Sequence, residues 1–542
     1  MNACPRAGRA VRTLRSSLVL WLLVGGCGFE GTFKDQPIVW RVDDQKDIPE
    51  PEGADFHYVA SALDWYALRR LNRTLELRDS EAAHNVNAFD EVPDSSWFTN
   101  RIGVRELSRA QVAQGTSNAG PPSPPLVVLS GKPGGANPGF VAKDRDGRKF
   151  VVKFDTKENP ELQTATNTIV NRIFWAAGYN VPNDSVFFIR PENIAIGAHA
   201  TAKDDLGRTQ PFSREHLNSV LKGAPKSDEG TYRATASEFV EGIPKGGLLP
   251  EGTRSDDPND SIAHEQRREL RGLRVFAAWV NHTDMKEDNT LSSYVEARGK
   301  HFLKHYLVDF GEALGAHAAE KSRYEDGYEH WFDWQAQPKA TFAFGLWVRD
   351  WESATETPWP SVGAFSAKHF DPDAWKEAYP YWPFFETDLR DAYWAAKIIL
   401  RFTRQHLRAI VGEAHLTEPA AAAYLVDALY RRRQIIGATY LERVSPLDHF
   451  SIDKDHLCAV DLSVYHGLVT SGLVEALDEH DEVRYDGLVG PRGRVCLPIF
   501  QDDEYRVYRL RTRRRALVLP TMQVHFKGGP APRILGIVRL EQ

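Results

Sequence analysis

A chain of 542 residues with a formal charge of −7 is long enough for several domains and too acidic for nonspecific nucleic-acid binding. Its apolar content and 14 tryptophans exclude a disordered chain. The four cysteines (Cys4, Cys27, Cys458 and Cys496) form no C-x-x-C or mixed His/Cys pattern of the kind that binds zinc.

The first 26 residues have the order of an export signal. Arg6, Arg9, Arg12 and Arg15 precede a short apolar core, Leu18 to Val24, too short to span a bilayer as a mature helix. Leu23-Val24-Gly25-Gly26-Cys27 resembles the bacterial lipobox. That resemblance implies cleavage before Cys27, lipidation of its thiol and a membrane partner, with plain secretion or a retained anchor as alternatives. Gly28, where an aspartate would favour retention, implies the outer membrane of a bacterial cell envelope. Loss of four arginines moves the formal charge from −7 to −11. Cys458 and Cys496 then remain as an even pair, either a disulfide or two buried thiols.

The expected divisions are a tether and extension over 27–119, a β-rich region over 120–241, a helical region over 242–444 and a β-rich region over 445–542. Residues 28–60 read as an irregular tether, and Asp64 to Leu77 has helical spacing. Strands are predicted at Leu126–Leu129, Gly139–Lys143 and Lys149–Phe154, the last two joined at Asp146-Gly147. A helix is predicted from Asn159-Pro160-Glu161 to Gly178, then a strand at Val186–Ile189. Residues 200–232 read as an insertion with a short helix at Arg214–Leu221, and Ala234–Val240 as a strand. An amphipathic helix over 262–280 runs into Asn281-His282, followed by a hairpin around Gly299. A Trp-rich irregular stretch reaches Phe385. Helices at Leu389–Val411 and Pro419–Leu441 precede a tail with strands near 505–510, 516–519, 522–526 and 534–540.

Within this order lie His282-Thr283-Asp284-Met285-Lys286-Glu287-Asp288-Asn289 and, downstream, Asp309-Phe310-Gly311. With Val151-Val152-Lys153 upstream, the arrangement resembles the protein-kinase-like superfamily over about residues 120–445. Lobe order is closest to divergent members, such as HipA-type and secreted kinases. The resemblance implies an α+β, bilobal kinase-like fold with a β-rich C-terminal appendage, using ATP or another nucleotide with Mg²⁺. Lys153 would bridge phosphates, and Asp284 would take the acceptor hydroxyl's proton. Lys286 would neutralise the transferred group, while Asn289 and Asp309 would ligate metal. His282 would support the loop. Taken singly, each is an ordinary loop or strand residue; the shared spacing gives them weight.

The segment Gly131, Lys132, Gly134, Gly135 to Gly139 lacks G-x-G-x-x-G spacing, so it is either a phosphate cradle or a surface hairpin. The backbone around Glu238 would form the adenine-binding hinge. Three departures stand out. Asn167 occupies the place of the helix glutamate that pairs with the strand lysine, with Glu161 as a substitute. Thr283 replaces the arginine of H-R-D, and no A-P-E motif follows. Two readings stay open: an exported, lipid-anchored phosphotransferase acting on a protein, glycan or small molecule, and an inactive pseudokinase serving as an envelope scaffold. A coat-type structural protein and a hydrolase using Asp284 and Asp309 are weaker alternatives, the latter without any Gly-x-Ser-x-Gly elbow.

Overall fold

The computed structural model describes residues 31–54, 61, 63–75, 81–116, 119–132, 137–204, 207–317, 320–331, 333–344, 346–353, 357–478, 480–499, 504–515 and 517–540. The expected signal segment over residues 1–26, Cys27, Gly134 and Gly135 lie outside the described residues. The chain is a mixed α/β protein with a sheet-rich region. Among the described residues no helix is long and apolar enough to cross a membrane.

A seven-stranded sheet carries β1 (Leu126–Gly131), β2 (Gly139–Lys143), β3 (Lys149–Phe154), β4 (Asp184–Ile189), β5 (Ile194–Lys203), β6 (Thr209–Pro211) and β7 (Tyr232–Glu238). Its order is β4-β7-β3-β2-β1-β5-β6. Strict alternation sorts β3: Phe150, Val152 and Phe154 enter a core with Phe140 and Ala142, which leaves Val151 and Lys153 on the opposite face. Residues 200–232 are not a separate insertion. β5 pairs in parallel with β1, β6 extends the edge, and α2 (Arg214–Gly223, following α1, Leu162–Ala177) covers the core through Leu217 and Leu221. The parallel pairing was invisible locally because register between distant segments has no sequence marker.

Helix α1 packs under the other face. Its first turn is satisfied by Asp155, whose carboxylate accepts from the backbone N–H of Gln163 (2.9 Å) and Thr164 (3.0 Å) and from Thr164 Oγ1 (2.6 Å). It ends at Gly178 with φ 138°, where a Cβ would collide with the Phe98 ring. Helix α3 (Arg268–Val280) starts six residues later than its apolar pattern suggested, after a 3₁₀ turn at His264–Gln266. It crosses α4 (Leu389–Ile399), where Asp391 receives Arg268 Nε at 3.0 Å. The expected single helix over 389–411 is two: α4, then α5 (Arg404–Gly412), which Thr403 caps afresh through a bond from the His406 N–H. Helix α6 (Pro419–Tyr440) completes this core.

β8 (Ile243–Pro244), β9 (Thr290–Ala297) and β10 (Lys300–Leu307) form a small sheet in which β9 and β10 make the predicted hairpin. After residue 445 the chain builds two further sheets around their own core, including Leu457, Val474, Leu497, Met522 and Phe526. Cys458 and Cys496 are bonded as a disulfide across directly opposed positions of two of these strands. Residues 31–54 contain no helix or multi-residue strand, yet they are laid along the body: Val42 donates to Asp94, Ile48 to His301 and Ala54 to Lys245.

Candidate active site

The β9–β10 register places Thr290 opposite Leu307, so the residues just outside the hairpin's open end meet. Val308 N–H donates to the Asn289 carbonyl at 2.9 Å, which sets Asn289 beside the strand end that delivers Asp309. Asp309 adopts φ 58°, a left-handed backbone that aspartate tolerates better than most residues. Its carboxylate receives Lys153 Nζ at 2.7 Å. The sheet and the hairpin thus face each other across one cleft.

Asp284 sits in the same cleft. Helix α3 ends at Asn281 (φ 52°), and the following loop is pulled back by a bond from the His282 N–H to Ala277 O and from His282 Nδ1 to Glu312 O, both 2.9 Å. Met285 points into the core, and Asp284 and Lys286 on either side of it meet each other, Asp284 itself buried. Lys286 Nζ lies 2.7 Å from Asp284 Oδ1, and Asn289 Nδ2 donates to Asp284 Oδ2 at 2.8 Å. The loop has an outside brace: Trp65 Nε1 and Arg69 donate to the two oxygens of Glu287, each at 2.7 Å.

Electrostatics separate the two aspartates. Burial, reinforced by the nearby Glu312 carboxylate, pushes Asp284 up to about 7 against the pull of Lys286 and Asn289. Asp309 is also raised by burial, although 48% of its side chain faces the cleft. The ammonium groups of Lys153 and Lys132 and the Gly311 amide outweigh that and hold it at about 2. Burial and the neighbouring Lys153 bring Lys132 down to about 8. One acidic group is near neutrality and the other firmly ionised, an arrangement suited to a proton acceptor beside a cation ligand.

Two expectations about Lys153 are corrected. Asn167 does not face it as a neutral stand-in for glutamate. Its Nδ2 donates to buried Asp184 (2.6 Å), and its Oδ1 accepts the Phe310 N–H (3.1 Å). Glu161 is spent on the N–H and hydroxyl of Thr417. Lys153 therefore pairs with Asp309 itself. Phe310 is buried and stacks on Phe174 of α1 at 5.4 Å.

Of the remaining predicted residues, Lys132 reaches the cleft; a Cβ on Gly139 would lie 3.4 Å from Lys132 Cδ and 2.3 Å from Val152 O, so only glycine fits there. Gly131 is the last residue of β1, and a side chain there would point toward Ala202 and Phe212, away from Lys153. Glu238 lies opposite Phe150, three positions along β7 from the partner of Lys153, and accepts from Asn183 at 2.9 Å. Sequence reading missed Glu312, Asp184 and Glu287. Glu312 directly follows Gly311 and could have been noticed; the other two carry no local signal.

Among the described residues no group of three or more His, Cys, Asp or Glu side chains forms a metal cage. Asn289 and Asp309 would supply two hard oxygen donors, a set that fits a cation completed by phosphate and water oxygens.

No family model matches the chain, and no curated protein matches it. Among solved structures it is similar to a crystal structure of the Golgi casein kinase at 13% identity and TM-score 0.31, covering 73% of this chain and 95% of that one. It is similar also to the Golgi casein kinase with Mn/ADP bound, at 13% identity and TM-score 0.30, covering 72% and 94%. Overlap this slight adds no weight to a functional reading, which rests on the side chains above.

Proposed function

We propose that this chain is an exported, lipid-anchored phosphotransferase of bilobal, protein-kinase-like build that uses a magnesium nucleotide. The carrying observation is the meeting of Lys153, Asp309, Asn289 and Asp284 in one cleft, from four distant or turn-separated positions. Asp284 accepts the proton of the acceptor hydroxyl, and its value near 7 suits that task. Lys286, 2.7 Å away, steadies the negative charge of the arriving phosphoryl group. Lys153 and Lys132 draw the nucleotide phosphates under β2 and β3, and the backbone after Glu238 takes the adenine. Asp309 and the side-chain amide oxygen of Asn289 would hold Mg²⁺, which would supply charge neutralisation for the phosphates.

The acceptor is a protein, glycan or small molecule, and residues 445–542 form an appendage to the catalytic body. The lipobox-like segment ending at Cys27 supports a lipid anchor on the bacterial cell envelope, and Gly28 after it favours the outer membrane.

A second reading, a nucleotide-binding or nucleotide-free pseudokinase scaffold, is favoured by the engagement of Asn167 with Phe310, which leaves Lys153 without a helix carboxylate. Thermal shift with Mg²⁺ and a panel of nucleoside triphosphates, followed by product analysis with radiolabelled γ-phosphate, separates the two. Stabilisation that Lys153→Ala removes, with label transferred or released, supports the enzyme. Stabilisation without turnover supports a nucleotide-binding scaffold, and no response to any nucleotide sinks the enzyme and leaves the nucleotide-free scaffold.

A further inference from the structure

The Trp-rich stretch after Gly311 contains a projection that the phosphotransfer site does not use. Its two legs are pinned. On the outgoing leg, Asp333 accepts Lys376 Nζ at 2.6 Å and the backbone N–H groups of Gln335 and Ala336, starting the short helix Ala336–Phe342. On the return, Glu329 receives Arg349 NH1 at 3.1 Å and Trp351 Nε1 at 2.8 Å. Between these pins the chain sends apolar side chains into solvent: Phe342 is 77% exposed, Phe344 87%, Leu346 90% and Val348 71%. Single exposed apolar residues are ordinary; four at every second position on a braced projection form a patch that water disfavours.

The chemistry around the tip selects the occupant. Residues 337–349 contain no acidic side chain. Lys339 Nζ lies 4.0 Å from the Trp347 ring centroid, and Arg349 lies 5.3 Å from the same ring. An apolar tip collared by tryptophan and Lys339 matches a bilayer interface, where acyl chains take the tip, the indole ring sits at headgroup depth and phosphates meet the lysine ammonium. A second copy of the same patch fits badly, because it would bring the two Lys339 ammonium groups together while Glu329 is already paired with Arg349. We propose that the projection carrying Phe342, Phe344, Leu346 and Val348 inserts into an anionic lipid surface. Its root lies beside the cleft: Trp331 is 5.5 Å from Tyr379, whose ring lies 5.0 Å from Lys286 Nζ. If the proposed phosphotransferase reading holds, insertion turns the acceptor side of the cleft toward the membrane; the docking itself does not depend on that reading.

The test uses the full chain with Cys4→Ser and Cys27→Ser, so that no lipid is attached and only the bonded Cys458 and Cys496 remain. Phe344→Cys then carries a nitrobenzoxadiazole label. With phosphatidylglycerol/phosphatidylethanolamine vesicles the label brightens several-fold and is quenched by brominated acyl chains. Lys339→Glu weakens this binding by about tenfold, and Phe342→Ser/Leu346→Ser/Val348→Ser, all at exposed positions, abolishes the signal. A label that stays water-like on vesicles, a signal that survives the triple substitution, or brightening with protein concentration in the absence of lipid overturns the proposal, the last in favour of self-association.

Discussion

On the hairpin wall of the cleft, Asp284 and Asn289 are five residues apart and bonded to each other, with Lys286 between them closing on the same carboxylate. On the sheet wall, Lys153 has no partner in its own strand or in α1, and reaches across to Asp309. The first wall is mostly local geometry: a helix end, a tight loop and a strand start hold three side chains together, with Trp65 and Arg69 bracing the loop through Glu287. The second exists only while sheet, α1 and hairpin are docked. Asn167 is the joint between them, since its amide oxygen holds Phe310 and its amide nitrogen holds Asp184. Proton transfer by Asp284 on the local wall and phosphate capture by Lys153 on the assembled wall are therefore separable by mutation.

The sharpest break is Asp284→Ala. Transfer activity falls by about 10² to 10⁴, while nucleotide affinity measured by titration calorimetry stays within about threefold, because Lys153 and Asp309 do not depend on Asp284. Loss of binding in step with activity would mean the two walls are one unit.

Breaking the joint costs stability. Asn167→Leu leaves the Phe310 N–H and the Asp184 carboxylate without their bonds in a buried site. About 1 to 3 kcal/mol per orphaned group lowers the midpoint of urea unfolding, and Asn167→Asp, which keeps one acceptor for Phe310, restores only part of it. An unchanged midpoint for Asn167→Leu would show that the joint is not stressed.

The pH profile sharpens the local wall. Asp284 must be ionised to accept a proton, so kcat/KM rises about tenfold per pH unit below the value near 7 and levels above it. The stability consequence has the opposite sense. Its raised value means that the folded protein keeps a proton the unfolded chain has already lost, so this group's contribution is fully present below about pH 4 and is lost as pH climbs through about 7. Asp284→Asn removes that loss, and the melting-temperature difference between variant and parent widens from pH 4 to pH 8. A constant difference would remove the burial argument.

The smallest effect belongs to Lys132, held down to about 8 in the free protein. Phosphates would keep it charged, so nucleotide binding at pH 8 takes up protons, visible as a buffer-dependent calorimetric heat. Lys132→Ala abolishes that uptake and weakens binding only a few-fold, about 1 kcal/mol.

Much of the local wall was legible in the chain. Asp284, Lys286 and Asn289 have a fixed spacing, and the hairpin around Gly299 carries Asp309 back to them. The strands flanking Asp146-Gly147 were readable from alternation, and Lys153 from its place in one of them. The assembled wall was not. Asn167 sat where a glutamate was expected, but its partners come from β4 and from Phe310, which no spacing connects. β5 was missed because its pairing with β1 is parallel and long-range. The expected helix over 389–411 was split because apolar periodicity continues across Leu400–Thr403 while the backbone starts a new helix at the Thr403 cap. The N-terminal extension gave no hint that Trp65 and Arg69 brace Glu287.

What the chain determined unaided is the set of short-range constraints: which residues alternate on a strand, which cap a helix, and which polar groups share a turn. These follow from steric and hydrogen-bond rules acting over a few residues. Only the tertiary structure decided that Lys153 answers to Asp309, that Asn167 holds Phe310, and that one aspartate lies near neutrality while its neighbour stays ionised. Charge and burial act through space, and the distances that set them appear once the sheet has closed on the helices.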